Sequence, residues 1–362
     1  MLSRVLRRPA MTALWLFVLL SVGVGTMLAT GVGPDRRIRL AFGMTVPVAA
    51  CTPDPRHVRN PGGAGGTWRD GAPLPRALDE IRAVGAAGRI YVGTGVDLAY
   101  VDSGLVSVGR MYAFDPGSGR YTELADTPVR VDHPLLTADG GFLYLVGGFV
   151  DGVPTTDAWR YSLAERRWSR LAPMPTARGA LGGAVIGGQL FAVGGSPLMV
   201  SHESVPYRRL EILDLRSGRW RAGPPMRHAR HHAGTAALDG DLYVVGGRGR
   251  SDYSLGYAER FDAGAGRWET LPELPQAAGG LAAVAVGGKL LATGGGDDPE
   301  GWVTGATWAF DPRGNRWRRL PNLVQARHGH GAAVLGKRVY VFGGAPCPGA
   351  GRTEKVEVLD VD

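Results

Sequence analysis

Apolar and polar positions alternate in short bursts along most of this chain. Between Met226 and Pro275 a run of small and apolar residues, His231 to Leu238, ends at Asp239-Gly240. A second apolar run, Asp241 to Gly246, closes on the doublet Gly246-Gly247. A third covers Tyr257 to Asp262, and a glycine-bearing turn leads to a fourth, Arg267 to Leu271, around Trp268. Each run has the length of a strand and each boundary carries turn chemistry, so the segment is predicted to form four antiparallel strands. One such sheet has an apolar face with nothing to cover it.

Repetition supplies the cover. Glycine pairs recur at Gly147-Gly148, Gly194-Gly195, Gly246-Gly247, Gly294-Gly295 and Gly343-Gly344, with a degraded copy at Gly93-Thr94-Gly95. An aromatic closes each unit at Tyr121, Trp168, Trp220, Trp268 and Trp317. The two markers keep the same irregular rhythm, with a period of about 50 residues, which points to a repeat array. On these residues the chain resembles the kelch repeat over 67–362, and that resemblance implies an all-β, six-bladed propeller. The ends predict how it closes. Trp68 precedes the first full unit, and Val356 to Asp362 lacks a following aromatic strand. The segment around Trp68 is therefore expected to complete the last blade beside Glu357 to Val361, removing the open ends of the array.

Three parts are expected. Residues 1–33 carry Arg4, Arg7 and Arg8 ahead of an uncharged run from Pro9 to Pro34, whose centre, Met11 to Gly33, is long enough to span a bilayer. This reads as a membrane anchor or signal peptide that puts the propeller outside the cytoplasm. A lipobox-like Val48-Ala49-Ala50-Cys51 is a further alternative. Residues 34–66, with four prolines from Pro47 to Pro61 and a glycine-rich run, read as a flexible linker, and 67–362 as the propeller. Cys51 and Cys347 are the only cysteines; in an exported chain a disulfide between them is one reading, lipidation of Cys51 or two unrelated thiols the others.

The net charge is +8, but from Asn60 onward 33 basic face 31 acidic side chains. That near-balance argues against nucleic acid as a partner. Asp115, Asp214, Asp262 and Asp311 open the last turn of their units and read as turn caps; the repeated tryptophans read as packing.

In an up-and-down blade, the long loops that differ between repeats share one face with the entries to the innermost strands. Binding is expected there, of a protein or carbohydrate ligand. Arg178, Arg230 and Arg327 each stand 16 residues before their glycine doublet, and the matching positions are Ala77, Val131 and Ala278. The three arginines, with Arg130, Arg248, His228, His231 and His330, form the candidate ligand site. An anion receptor is one reading of the arginines; pairing with neighbouring blades or backbone carbonyls is the other. Histidines 133, 228, 231, 232, 328 and 330 fall in the same region, but no carboxylate or cysteine recurs at a fixed spacing from them. No metal and no cofactor is assigned. The function expected is a non-catalytic binding module. The alternatives implied by the resemblance are an enzyme similar to the kelch sialic-acid mutarotases, with Glu203 or Glu300 as acid/base, and a copper oxidase similar to galactose oxidase.

Overall fold

The predicted runs become strands at every repeat. A computed structural model describes residues 53–62, 67–97, 106–199, 205–297, 300–349 and 351–361, all of which belong to one compact unit. The unit contains six four-stranded antiparallel sheets. In the fourth blade the strands are Gly234–Leu238, Asp241–Val245, Ala258–Asp262 and Arg267–Leu271, running outward from the axis in chain order. The innermost strands of the six blades are Arg82–Ala86, Leu135–Asp139, Gly182–Ile186, Gly234–Leu238, Ala282–Val286 and Gly331–Leu335. Each touches its two neighbours, so the ring is closed.

The sixth blade closes as the sequence predicts. Arg69–Asp70 is its outermost strand, with Arg69 opposite Val358 and Asp70 opposite Glu357. Trp68 is buried against Val284, Leu323 and Leu359, and its indole N–H donates to the Pro321 carbonyl at 3.0 Å. The same staple recurs at the other junctions. Trp168, Trp220, Trp268 and Trp317 donate to the carbonyls of Ala125, Ala172, Pro224 and Pro272, each in the connection leaving the preceding blade. The Tyr121 hydroxyl donates to Ala72. All six outer-strand aromatics therefore satisfy a backbone acceptor of the blade before them, which is where an indole or phenol is best used when half buried. The predicted turn caps also form: Asp115, Asp214, Asp262 and Asp311 accept backbone N–H bonds from residues two or three further on, at 2.7–3.0 Å.

The glycine doublets join blades to one another. The N–H of Gly148, Gly195, Gly247, Gly295 and Gly344 donates to the carbonyl of Arg178, Arg230, Ala278, Arg327 and Leu78 of the next blade, at 2.8–3.0 Å. A Cβ on Gly194 would stand 2.6 Å from the Arg230 carbonyl oxygen, and both glycines have φ of 65° and 95°. Only glycine meets both conditions. The first blade departs from this pattern. Its second strand, Arg89–Gly93, has the same five residues as its counterparts, so Gly93 belongs to the strand and Thr94-Gly95 occupies the doublet position. The residue matching Arg178 is therefore Leu78 and not Ala77.

Residues 53–62 do not behave as the flexible spacer expected from their prolines. Val58 pairs with Val303, the Arg59 N–H donates to the Val303 carbonyl, and the Asn60 side chain accepts from Gly305 N–H at 2.6 Å. Arg59 pairs with Glu300 at 2.7 Å and lies over the Trp302 ring. The backbone polar groups of this segment find partners on the fifth blade, which fixes it there. Residues 1–52 lie outside the described residues, and with them the N-terminal apolar segment and Cys51. Among the described residues no helix is long and apolar enough to cross a membrane.

Truncating Trp68 removes both a core side chain and the seam's staple. Trp68→Ala is expected to cost about 3–5 kcal/mol in urea unfolding. A loss below about 1 kcal/mol would contradict closure through this residue.

Candidate functional site

The three repeated arginines are placed by a turn. In each blade, the residue two positions before the innermost strand takes a left-handed conformation: Glu80, His133, Ala180, His232, Gly280 and Gly329, with φ between 50° and 65°. The arginine position stands two residues earlier, where its side chain is directed into its own blade. Arg178, Arg230 and Arg327 are accordingly among the most buried side chains described. Each pairs with a glutamate on the third strand: Arg178 with Glu211 at 2.5 Å, Arg230 with Glu259, and Arg327 with Glu357. The guanidinium groups also donate to carbonyls, among them Ala192 at 3.1 Å, Tyr257 at 2.6 Å and Lys355 at 2.9 Å. Glu259 in turn accepts the Arg227 N–H at 2.8 Å, and Glu357 the Val324 N–H at 2.6 Å.

These contacts leave the arginines no surface to offer an anion, and they correct that expectation. The other three blades make the same point from inside one sequence. Where the first position is Leu78, Val131 or Ala278, the glutamate position holds Tyr112, Trp159 or Trp308. One slot is filled either by a buried ion pair or by an aliphatic–aromatic pair. The pairing is a packing solution, since a buried charge is tolerated only with its partner present.

The other predicted residues separate. Arg130 is exposed. His228 stacks on Tyr257, with ring centroids 3.7 Å apart, and faces Glu259. His330 is enclosed in the core, where its Nε2–H donates to the Thr293 carbonyl at 3.1 Å; burial, then Arg327 and His328, push its pKa down to about 3. Among the described residues no cysteine is free: Cys347 is disulfide-bonded, and its carbonyl lies 3.0 Å from His328 Nε2. Its expected partner Cys51, like Glu203, lies outside the described residues.

His231 and Arg248 do reach the axis, and they belong to a cluster that the sequence did not reveal as one. At the loop-face mouth of the axial channel, His133 donates from Nδ1 to Asp132 at 2.6 Å and places Nε2 3.5 Å from Glu80. Ser107 donates to the other Asp132 oxygen at 2.5 Å. His232 packs edge-on against His133, with centroids 4.9 Å apart, and meets His231 through their Nδ1 atoms. His231 faces Asp252 at 3.2 Å, and Arg82 lies 3.7 Å from Glu80. Burial would lower the His133 pKa, but Glu80 and the Asp132 hydrogen bond outweigh it and raise it to about 9. His232 is held well below the usual imidazole value by burial, Arg248 and His231. Beneath the mouth a cavity of about 120 Å³ runs between the innermost strands, lined by small residues such as Ala83, Gly183, Ala283 and Ala332. Glu80 and Asp132 were missed because Glu80 comes from the first blade and Asp132 from the second, and no carboxylate recurs at a fixed spacing from the histidines; their place shortly before the innermost strands is the one signal that points to them.

The packing role of the arginines has a direct check. Arg230→Ala is expected to destabilise the propeller by about 3–5 kcal/mol, because Glu259 is left buried without its charge partner. The double change Arg230→Val with Glu259→Trp, which copies the second blade, should recover most of that loss in denaturant titrations. A double variant as unstable as the single one would refute the exchange.

Comparison with known proteins agrees with this geometry. The model for the KLHDC2/KLHL20/DRC7 Kelch-repeats domain matches residues 200–344, and the Kelch motif model matches residues 135–175. Human Kelch domain-containing protein 8B is 31% identical over 150 residues, which cover 40% of this chain and 42% of that protein. Human Kelch-like protein 38 is 30% identical over 179 residues, 49% of this chain and 30% of that protein. Kelch-like protein 35 of Mus musculus is 27% identical over 209 residues, 58% of this chain and 34% of that protein. The chain thus spans less than half the length of the curated relatives it matches. Doublets, outer-strand aromatics, six closed blades and these matches together make it a member of the kelch-repeat propellers.

Proposed function

We propose that this propeller is a non-catalytic binding module that grips a protein partner on its long-loop face. One observation carries the reading. The exposed large apolar side chains among the described residues are Val153, Leu198, Val205, Tyr253 and Val324. All five sit in the loops after second strands or in the connections between blades, so all share one face. The opposite face is made of short turns such as Gly187-Gly188, Asp239-Gly240 and Gly287-Gly288. Apolar side chains gathered on variable loops above a rigid frame suit a protein surface better than a carbohydrate.

Several residues offered for the mutarotase-like alternative are engaged within the frame. A carboxylate substrate would need free guanidinium groups, and Arg178, Arg230 and Arg327 are already neutralised by glutamates. Glu300 is tied to Arg59 and the Trp302 indole. As for location, an N-terminal apolar segment flanked by arginines supports an exported, membrane-held propeller, with Cys51 joined to Cys347 near the seam.

A photo-crosslinking side chain at Tyr253 is expected to capture a protein in the chain's native host, and the same group at Ser217, on the turn face, is expected to capture none. Equal capture from both positions, or binding only to glycans on an array, would contradict the reading.

A further inference from the structure

We propose that the axial mouth is a binding site for one divalent transition-metal ion, with Glu80, His133 and His232 as its protein ligands. One carboxylate oxygen of Glu80 and one ring nitrogen from each histidine lie within 4.8 Å of one another. All three residues are buried. The separation of 3.5 Å between Glu80 and His133 Nε2 is close to the edge of a tetrahedron whose metal–ligand bonds are about 2.0–2.1 Å. Two imidazoles and a carboxylate suit zinc and its neighbours rather than calcium or magnesium.

The surroundings are built in the way metal sites are. Asp132 accepts the Nδ1–H of His133 at 2.6 Å and is itself held by Ser107. This fixes the ring's tautomer and leaves Nε2 as the ligating atom, the role of outer carboxylates around metal-bound histidine. On the far side Asp252 and His231 line up behind His232.

The position also answers a local irregularity. Four successive junctions are tied at the axis by backbone bonds, from Ala180 N–H to His133, His232 to Ala180, Gly280 to His232 and Gly329 to Gly280, at 2.9–3.0 Å; Ile81 N–H donates to Gly329 at 3.0 Å. Among the described residues the first-to-second junction shows no such bond, and there the Arg82 side chain reaches the Pro134 carbonyl instead. Glu80 and His133 stand on the two sides of that junction. An ion between them would tie it, with His232 holding from across the axis and the remaining coordination position open to the cavity below.

The test uses the full-length chain without an affinity tag, stripped with chelator and then titrated with cobalt(II) chloride and zinc chloride. One equivalent of cobalt should bind and give the visible absorption of a low-coordinate nitrogen–oxygen site, and zinc should displace it. His133→Asn and His232→Asn, chosen because asparagine tolerates the left-handed backbone, should each weaken binding at least 100-fold. Asp132→Asn should weaken it roughly 10–100-fold. His228→Asn, remote from the mouth, should bind as the parent does. X-ray absorption at the zinc edge of the unaltered protein should show two imidazoles, which keeps the proposal testable if a variant fails to fold. Failure of the unaltered protein to bind one equivalent, binding that survives both histidine changes, or a zinc shell without imidazole would each overturn it.

Discussion

Each sheet of this propeller has apolar faces that only a neighbouring sheet can cover, and every other feature serves that requirement. The neighbours are tied at three radii. At the rim, an aromatic of one blade donates to a carbonyl leaving the blade before it. At mid-radius, the glycine doublets let a backbone N–H reach the next blade's carbonyl at 2.8–3.0 Å. At the axis, the left-handed residue of one blade donates to that of the previous one at four junctions, and Ile81 donates to Gly329 across the closing one. These are directional bonds on buried or half-buried groups, so they define the angle between sheets while apolar contact supplies most of the driving force. Closure through Trp68 and Arg69–Asp70 makes the sixth junction like the rest.

With the frame tied in this way, the interior slots of the blades can vary. Three blades fill the slot under the doublet with arginine and glutamate, and three with an aliphatic residue and an aromatic. The exchange keeps volume and satisfies or removes the polar groups together, which are the two ways such a site can be stable. The blade interiors can thus vary without loosening the ring.

Much of the fold was legible because packing between repeats acts on every copy, so the same residue types recur at the same interval. Trp68 and the unfinished C-terminal sheet could be matched for that reason. The arginines misled because a recurring charge has the same rhythm whether it faces a ligand or its own blade; the glutamates that neutralise them, at the second residue of the third strand, recur with them and were the unread signal. The first-blade register slipped by one because Gly93-Thr94-Gly95 offers two doublets and only the strand length decides between them. The axial cluster was partly legible through its histidines. Its acidic members, Glu80, Asp132 and Asp252, stand on the first, second and fourth blades at no common spacing from the histidines, and only the ring brings them to one mouth.

If the axial tie between blades is what holds the frame, the amides that make it should be protected although they lie outside regular strands. Native-state hydrogen exchange, read at Ala180, His232, Gly280 and Gly329, addresses this most directly. The account predicts that these four exchange as slowly as the amides of the second strands, such as Leu242 and Val244. Exchange as fast as in the exposed turns at Ser217 and Ala265 would mean that the blades are not tied at the axis, and the account would fail.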